Sequence, residues 1–262
     1  MQEPVVASAL AQKHALQSGL VIFFDLTLLY QNNSFHYKPV PVMDKKLRTK
    51  DKILQASIEL FNQQGERQIT TNHIAAHLGI SPGNLYYHFR NKEDIVRQIF
   101  KEYAKLLENR LQPPSRHSEA LDALAQYLDI VFELMWRFHF FYANLPDILS
   151  RDPLLQQDYL QVQKGVQLKV VSVLKALKAA DVIEIDDADI ANFAHTIKLV
   201  VTFWISYLKT QAPQAAIDQA QAYQGVLKVL LLFKPYSSAH ALPRIENLQR
   251  HYQQLAGQPL LN

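Results

Sequence analysis

The chain has no cysteine among its 262 residues. That excludes disulfides, thiolate chemistry and cysteine-based zinc sites, and it is compatible with a reducing cytoplasm. Glycine is scarce as well. There are 7, and three of them (Gly65, Gly79 and Gly83) fall within nineteen residues of one another. So few turn positions favour long helices over many short strands. A Gly-rich phosphate loop, a Gly-x-Ser-x-Gly elbow and a His-Glu-x-x-His pair are all missing, so nothing recommends an enzyme and no cofactor is expected. Long apolar runs are missing too. "LVIFFDLTLLY", residues 20–30, is too short to span a bilayer and carries Asp25 in its middle. As a secretory signal it lacks a basic leading region and a small-x-small cleavage site. A cytoplasmic protein without a membrane partner is expected.

What is present is apolar and unevenly charged. Hydrophobic residues make up 48% of the chain, enough for a substantial core, and the net charge is a modest +3. Lys and Arg balance Asp and Glu at 2 against 2 over residues 1–43, then stand at 12 against 8 over 44–112 and 13 against 14 over 113–262. A basic segment followed by a near-neutral one places nucleic acid against the first. Three regions follow: an N-terminal extension over 1–43, a basic segment over 44–112 expected to meet DNA, and a near-neutral segment over 113–262. "YKPVPV", 37–42, cannot be helical, and the chain becomes orderly after Met43. A natural start at Met43, with 1–42 as translated upstream sequence, is one of two even readings of the extension.

From Asp44 the pattern is helical. "KKLRTKDKILQASIELFNQQG" keeps near-helical apolar spacing and stops at Gly65. "TTNHIAAHLG" offers Thr caps, an apolar face of Ile74, Ala75 and Leu78, and a stop at Gly79. Ser81 then caps a short helix with Pro82 at its first position. Asn91 caps another, with Asp94 completing a pair resembling a capping box, and "PPSRHS" ends it. The short helix in "SPGNLYYHFRNKED" raises a question. Leu85 and Phe89 occupy its inward face, which leaves Tyr86, Tyr87 and His88 for solvent where a surface helix usually carries Lys and Glu. Two short helices joined at Gly79 have the layout of a helix-turn-helix, whose second helix enters the major groove. An amide such as Asn84 can pair with a base edge there, Pro82 and Gly83 allow close approach, and Tyr hydroxyls reach phosphates. Upstream, "KKLRTKDK" carries five positive charges in eight residues, enough for a phosphate-tracking arm.

The stretch from about Lys50 to Lys105 resembles the DNA-binding domain of the TetR family of bacterial transcription regulators. The Gly-Ile/Val-Ser-x-Gly-x-Leu-Tyr-x-His-Phe-x-Asn-Lys pattern is matched at every fixed position. Farther on, "FFYANLPDILSRDPLLQQDY" is similar to one branch of the family's regulatory domains. The resemblance implies an all-α fold in which a three-helix DNA-binding domain precedes a helical bundle. It implies base contacts from Asn72, Pro82, Gly83, Asn84 and Tyr87, and phosphate contacts from Thr71, Tyr86, His88 and Lys92. Many relatives carry Arg or Lys at the position of Asn72; a neutral amide there forgoes the bidentate guanine contact. His73 and His77 lie four apart, a spacing two metal ligands can use, but with no acidic partner beside them no metal site is expected.

In the second domain "MWRFHFFYANL", 135–145, is unusually aromatic. Its bland reading is a core corner. Its functional reading is a ligand pocket lined by Trp136, Phe140, Phe141 and Tyr142, with Arg137 or His139 as a polar anchor and His195 and Trp204 contributing from a later helix. The runs at 190–208 and 222–233 are too apolar for one buried stripe each. Paired with the same two from a second copy they form a homodimer interface, as the resemblance also implies, and a twofold dimer reads a palindromic operator in double-stranded DNA. The expected function is a repressor released by a small, largely apolar effector. Its rivals are a protein of the same fold that answers to a partner protein or to no effector, and an enzyme or hydrophobic carrier.

Overall fold

A computed structural model describes residues 48–113 and 120–257. The expectations for residues 1–43, and most of the boundary drawn at "PPSRHS", lie outside these. Eleven α-helices are described: α1 (Thr49–Gln64), α2 (Thr71–His77), α3 (Pro82–His88), α4 (Lys92–Arg110), α5 (Ala120–Arg137), α6 (His139–Ala143), α7 (Leu145–Arg151), α8 (Pro153–Ala179), α9 (Ile190–Gln211), α10 (Gln219–Phe233) and α11 (Leu242–Leu255). A single antiparallel bridge, Ile183 to Ser237, is the nearest approach to a sheet among them.

The local chemistry of the first four helices explains their bounds. Gly65 ends α1 at φ 84° and Gly79 turns the chain after α2 at φ 64°, both in the left-handed region that side chains disfavour. Thr70 caps α2 reciprocally: its hydroxyl accepts from the His73 amide, and the Thr70 amide donates to His73 Nδ1. Ser81 caps α3 by accepting from the Asn84 amide at 3.2 Å. Asn91 caps α4 through the Asp94 amide at 2.8 Å, but the expected reciprocal bond is displaced by one residue. Asp94 accepts from the amide of Arg90, not of Asn91.

Helices α1–α3 close over Ile53, Phe61, Ile74 and Leu85, and α4 adds Ile95 and Ile99 to that cluster. The cluster continues into the bundle through aromatic rings, with Phe61 and Phe140 centroids 5.2 Å apart and Phe100 and Phe141 5.8 Å apart. In the bundle, α10 packs on α5, α9 and α11, and α9 packs on α6 and α8. Asp152 shows how one side chain joins two elements. It caps α8 through the Leu155 amide at 3.1 Å and also accepts from Arg97 of α4 at 2.8 Å.

Candidate nucleic-acid interface and ligand cavity

Burial sorts the residues of α2 and α3 into two faces. Leu85 and Phe89 are buried, anchoring α3 against Ile74 and Ala75 of α2. Asn72, Pro82, Gly83 and Asn84 are exposed, and Tyr86 and Tyr87 are 49% and 85% exposed. A large side chain 85% in water gains almost nothing from folding, so core packing does not account for the Tyr87 ring. Thr71 is half-buried, and its hydroxyl lies 3.0 Å from the Tyr86 hydroxyl. One donates to the other, which leaves one hydroxyl proton of the pair to offer a phosphate. His88 is half-buried with its ring edge-on to Tyr87 at 5.1 Å. Lys50 contributes charge beside the same helix, its ammonium 5.5 Å from the Phe89 ring.

Lys92 departs from its expectation as a free phosphate contact. Its ammonium lies 3.0 Å from the Glu66 carboxylate and donates to the Glu66 carbonyl at 3.0 Å. Glu66 is 3% exposed and also meets Arg151 of α7 at 2.5 Å. Arg67 and Arg151 in turn pair with Asp147, whose carboxyl the Arg67 hydrogen bond holds below the usual carboxylate range. The turn after α1, the start of α4 and the helix α7 are thus joined by one network of charges. Glu66 lies 26 residues from Lys92, and no local pattern announces that partnership. His73 is occupied in its helix cap, and His77 lies 3.9 Å from Glu59.

The bundle contains an apolar cavity of about 100 Å³. Its walls come from six helices: Leu107 of α4, Leu124 and Leu128 of α5, Tyr142 of α6, Val170 of α8, Ile197 of α9 and Val229 of α10 are representative. Of the aromatic residues expected to form a pocket, only Tyr142 lies on it. The bland reading of that stretch describes the others. Phe140 and Phe141 are buried among Phe61, Phe100 and Tyr159. Arg137 is exposed, 3.6 Å from Glu102, and Trp136 is half-buried against His139. Trp204 points the other way, donating from its indole nitrogen to the Gln221 carbonyl at 2.8 Å, and His195 is exposed.

His139 has become part of the junction between the two halves. Its Nδ1 is 2.8 Å from the Trp136 carbonyl and its Nε2 is 3.2 Å from the Asn62 carbonyl. Asn62 itself donates to the Arg137 carbonyl and accepts from the Phe140 amide. The two carbonyls favour the imidazolium, but burial outweighs them and lowers the His139 pKa. The sequence reading missed Lys198, the one charged residue on the cavity wall among the described residues. Its signal was present: a lysine within the apolar run "TIKLVVTFW".

A short exposed helix behind a tight turn, joined to a helical bundle that encloses an apolar cavity, defines a helix-turn-helix protein with a helical second domain. Comparison with known proteins narrows this class. Residues 53–99 match the family described as "Bacterial regulatory proteins, tetR family", and residues 102–245 match "Bacterial transcriptional repressor" of the same family. A TetR-family transcriptional regulator of Marinobacter aquaeolei VT8 is 38% identical, with a TM-score of 0.69, covering 81% of this chain and 100% of that one. The chain belongs to the TetR family of bacterial transcription regulators. The biofilm operon negative regulator IcaR of Staphylococcus aureus is 34% identical over 98 residues, 37% of this chain and 53% of IcaR. The chain thus spans about half the length of that curated relative. The repressor KstR2 of Mycolicibacterium smegmatis is 25% identical over 182 residues, 68% of this chain and 88% of KstR2.

Proposed function

We propose that this protein is a homodimeric transcriptional repressor that leaves a palindromic operator when a small apolar effector enters the bundle cavity. The observation that carries the DNA reading is α3, which holds Asn84 and Tyr87 outward above a fully buried Leu85. On this reading Asn72, Pro82, Gly83, Asn84 and Tyr87 meet base edges, and Thr71, Tyr86 and His88 meet phosphates. Lys92 joins the phosphate contacts when it exchanges its Glu66 partner for DNA.

The dimer reading is supported by α9 and α10. Leu199, Phe203 and Tyr207 recur at four-residue spacing on one exposed face of α9, and Leu231 is exposed on α10. Apolar groups grouped this way mark an interaction surface. No helix among the described residues is long and apolar enough to cross a membrane, and a DNA partner supports a cytoplasmic location.

Release follows from the position of α4. Its first residue, Lys92, belongs to the DNA-binding end, while Tyr103 and Leu107 of the same helix, and Leu111 just after it, line the cavity. A ligand that displaces those three side chains biases the tilt of α4, and with it the spacing of two recognition helices in a dimer. A coupling of about 1–3 kcal/mol changes operator affinity roughly 5–150-fold. The test is footprinting of the purified protein on the DNA upstream of its own coding region across a salt series, followed by an effector screen on the protected duplex. A near-palindromic protected site supports the reading. Only weak, salt-sensitive binding on that DNA and on a selected random pool refutes it.

A further inference from the structure

The regulatory reading of the cavity leaves its ligand unnamed, and the distribution of polar groups along its walls narrows the choice. On α5 the lining runs from Leu124 to Leu134 and on α8 from Gln163 to Leu174. At the helical rise these spans are about 15 Å long. A volume of only about 100 Å³ drawn out over that length is a slot. It suits an unbranched chain that parts flexible Leu and Val side chains, and it opposes a fused-ring compound.

The slot is polar at one end. Lys198 Nζ donates to the Gln163 carbonyl at 3.1 Å, and Thr202 lies one turn farther along α9. Ser206, a further turn on, donates to the Tyr142 carbonyl at 2.7 Å, which places Tyr142 at this same end. The Tyr142 and Tyr103 hydroxyls are buried and 3.0 Å apart. One donates to the other, so one hydroxyl proton of the pair is not used in that bond. Toward the other end, the Tyr127 hydroxyl is already committed to the Gln112 carbonyl.

Charge is the sharper signal. Lys198 is the one ionisable Lys, Arg, Asp, Glu or His on the cavity wall, and no carboxylate among the described residues pairs with it. Burial lowers its pKa with no acidic neighbour to offset the effect. A ligand that brings an anionic group supplies the missing counter-ion in a setting where charge-assisted bonds are strong.

We infer that the cavity binds an unbranched, medium-chain carboxylic acid, its carboxylate held by Lys198 and the Tyr103–Tyr142 hydroxyls and its chain lying along the slot. This rests on the regulatory reading of the cavity. The experiment is calorimetric titration of the full-length protein with decanoic acid, decanol and cholic acid, with operator release followed in parallel by fluorescence anisotropy. Decanoic acid is expected to bind about tenfold to a hundredfold more tightly than decanol, the factor that one charge-assisted bond supplies, and cholic acid not to bind. Lys198→Met removes that preference, and Lys198→Arg, which keeps the charge, retains it. Equal binding of acid and alcohol overturns the inference, as does an unaltered acid preference in Lys198→Met or no binding of decanoic acid. Operator release by decanol or cholic acid but not by decanoic acid overturns the ligand class and leaves the regulatory reading standing. Decanoic acid that binds through Lys198 without changing operator affinity confirms the class and refutes the regulatory reading.

Discussion

Replacing Glu66 with Gln separates the stability of the junction from its effect on DNA. The carboxylate is 3% exposed and lies between Lys92 at 3.0 Å and Arg151 at 2.5 Å. Gln keeps the shape, one side-chain acceptor and the Lys92 bond to the residue-66 carbonyl, and removes only the charge. Stripping the partner from a fully buried ion costs about 3–5 kcal/mol. Here the cations keep 19% and 34% exposure and can hydrate, so the loss is smaller, about 1–2 kcal/mol. The DNA-binding effect has the opposite sign. With its competitor gone, Lys92 meets a phosphate without first giving up a partner, so affinity rises, while the slope of log K against log salt, which already counts Lys92 in the complex, stays the same. Urea unfolding reads the first quantity, and anisotropy titrations of an operator duplex at several salt concentrations read the second. A less stable protein whose operator affinity is unchanged or lower refutes the idea that Glu66 and DNA compete for Lys92.

Lys92→Ala is expected to weaken binding to all sequences alike and to reduce the same slope by about one per subunit. Asn84→Ala should cost about 1–3 kcal/mol on the preferred operator and relax the choice at one base position, measured by competition between variant duplexes; equal weakening on every duplex would refute a base contact. Gly225→Ala sets a helix-propensity gain of about 1 kcal/mol against crowding. A β-carbon there meets Trp204 Cδ1 at 2.5 Å and Met135 Cε at 2.8 Å, and overpacking of that kind costs about 1–3 kcal/mol. A net loss of up to about 2 kcal/mol, with a shift in Trp204 fluorescence, is expected in urea unfolding. His139 has a lowered folded pKa, so the unfolded chain binds the extra proton first. Its stabilising contribution is complete above the unfolded value of about 6.5 and is lost as pH falls toward the folded one. His139→Gln should accordingly show a flatter pH dependence of unfolding than the unsubstituted protein just below that value.

The helix-turn-helix was legible because its determinants are local. A Thr or Ser cap, a proline at a first helical position and glycines at positive φ each act within a few residues of themselves. The ties that join it to the bundle were not legible. Glu66 finds Lys92 and Arg151 across 26 and 85 residues, and Asn62 finds Phe140 across 78. The cavity was misplaced for a related reason. Aromatic residues close together in sequence at 136–142 gather where the chain turns from α5 into α6, and there they fill a corner. A wall drawn from six helices must use residues scattered along the chain, and the Leu and Val that compose it look like any core residue.

That misplacement has a physical lesson about which sequence signal to weigh. Aromatic rings bury favourably anywhere in a core, so a cluster of them discriminates poorly between a corner and a pocket. A lysine in an apolar helix is different, because burying its charge is costly unless something compensates. In "TIKLVVTFW" the isoleucine before Lys198 lines the cavity, as do Val201 and Thr202 after it. The lysine therefore stands at the cavity side of α9, half-buried rather than fully in solvent. Its stem also cannot be straightened into water without giving up the bond to the Gln163 carbonyl. A charge retained under those conditions is a better marker of a ligand site than any of the rings, and it is the reason the acid, rather than the alcohol of equal length, is the ligand to try first.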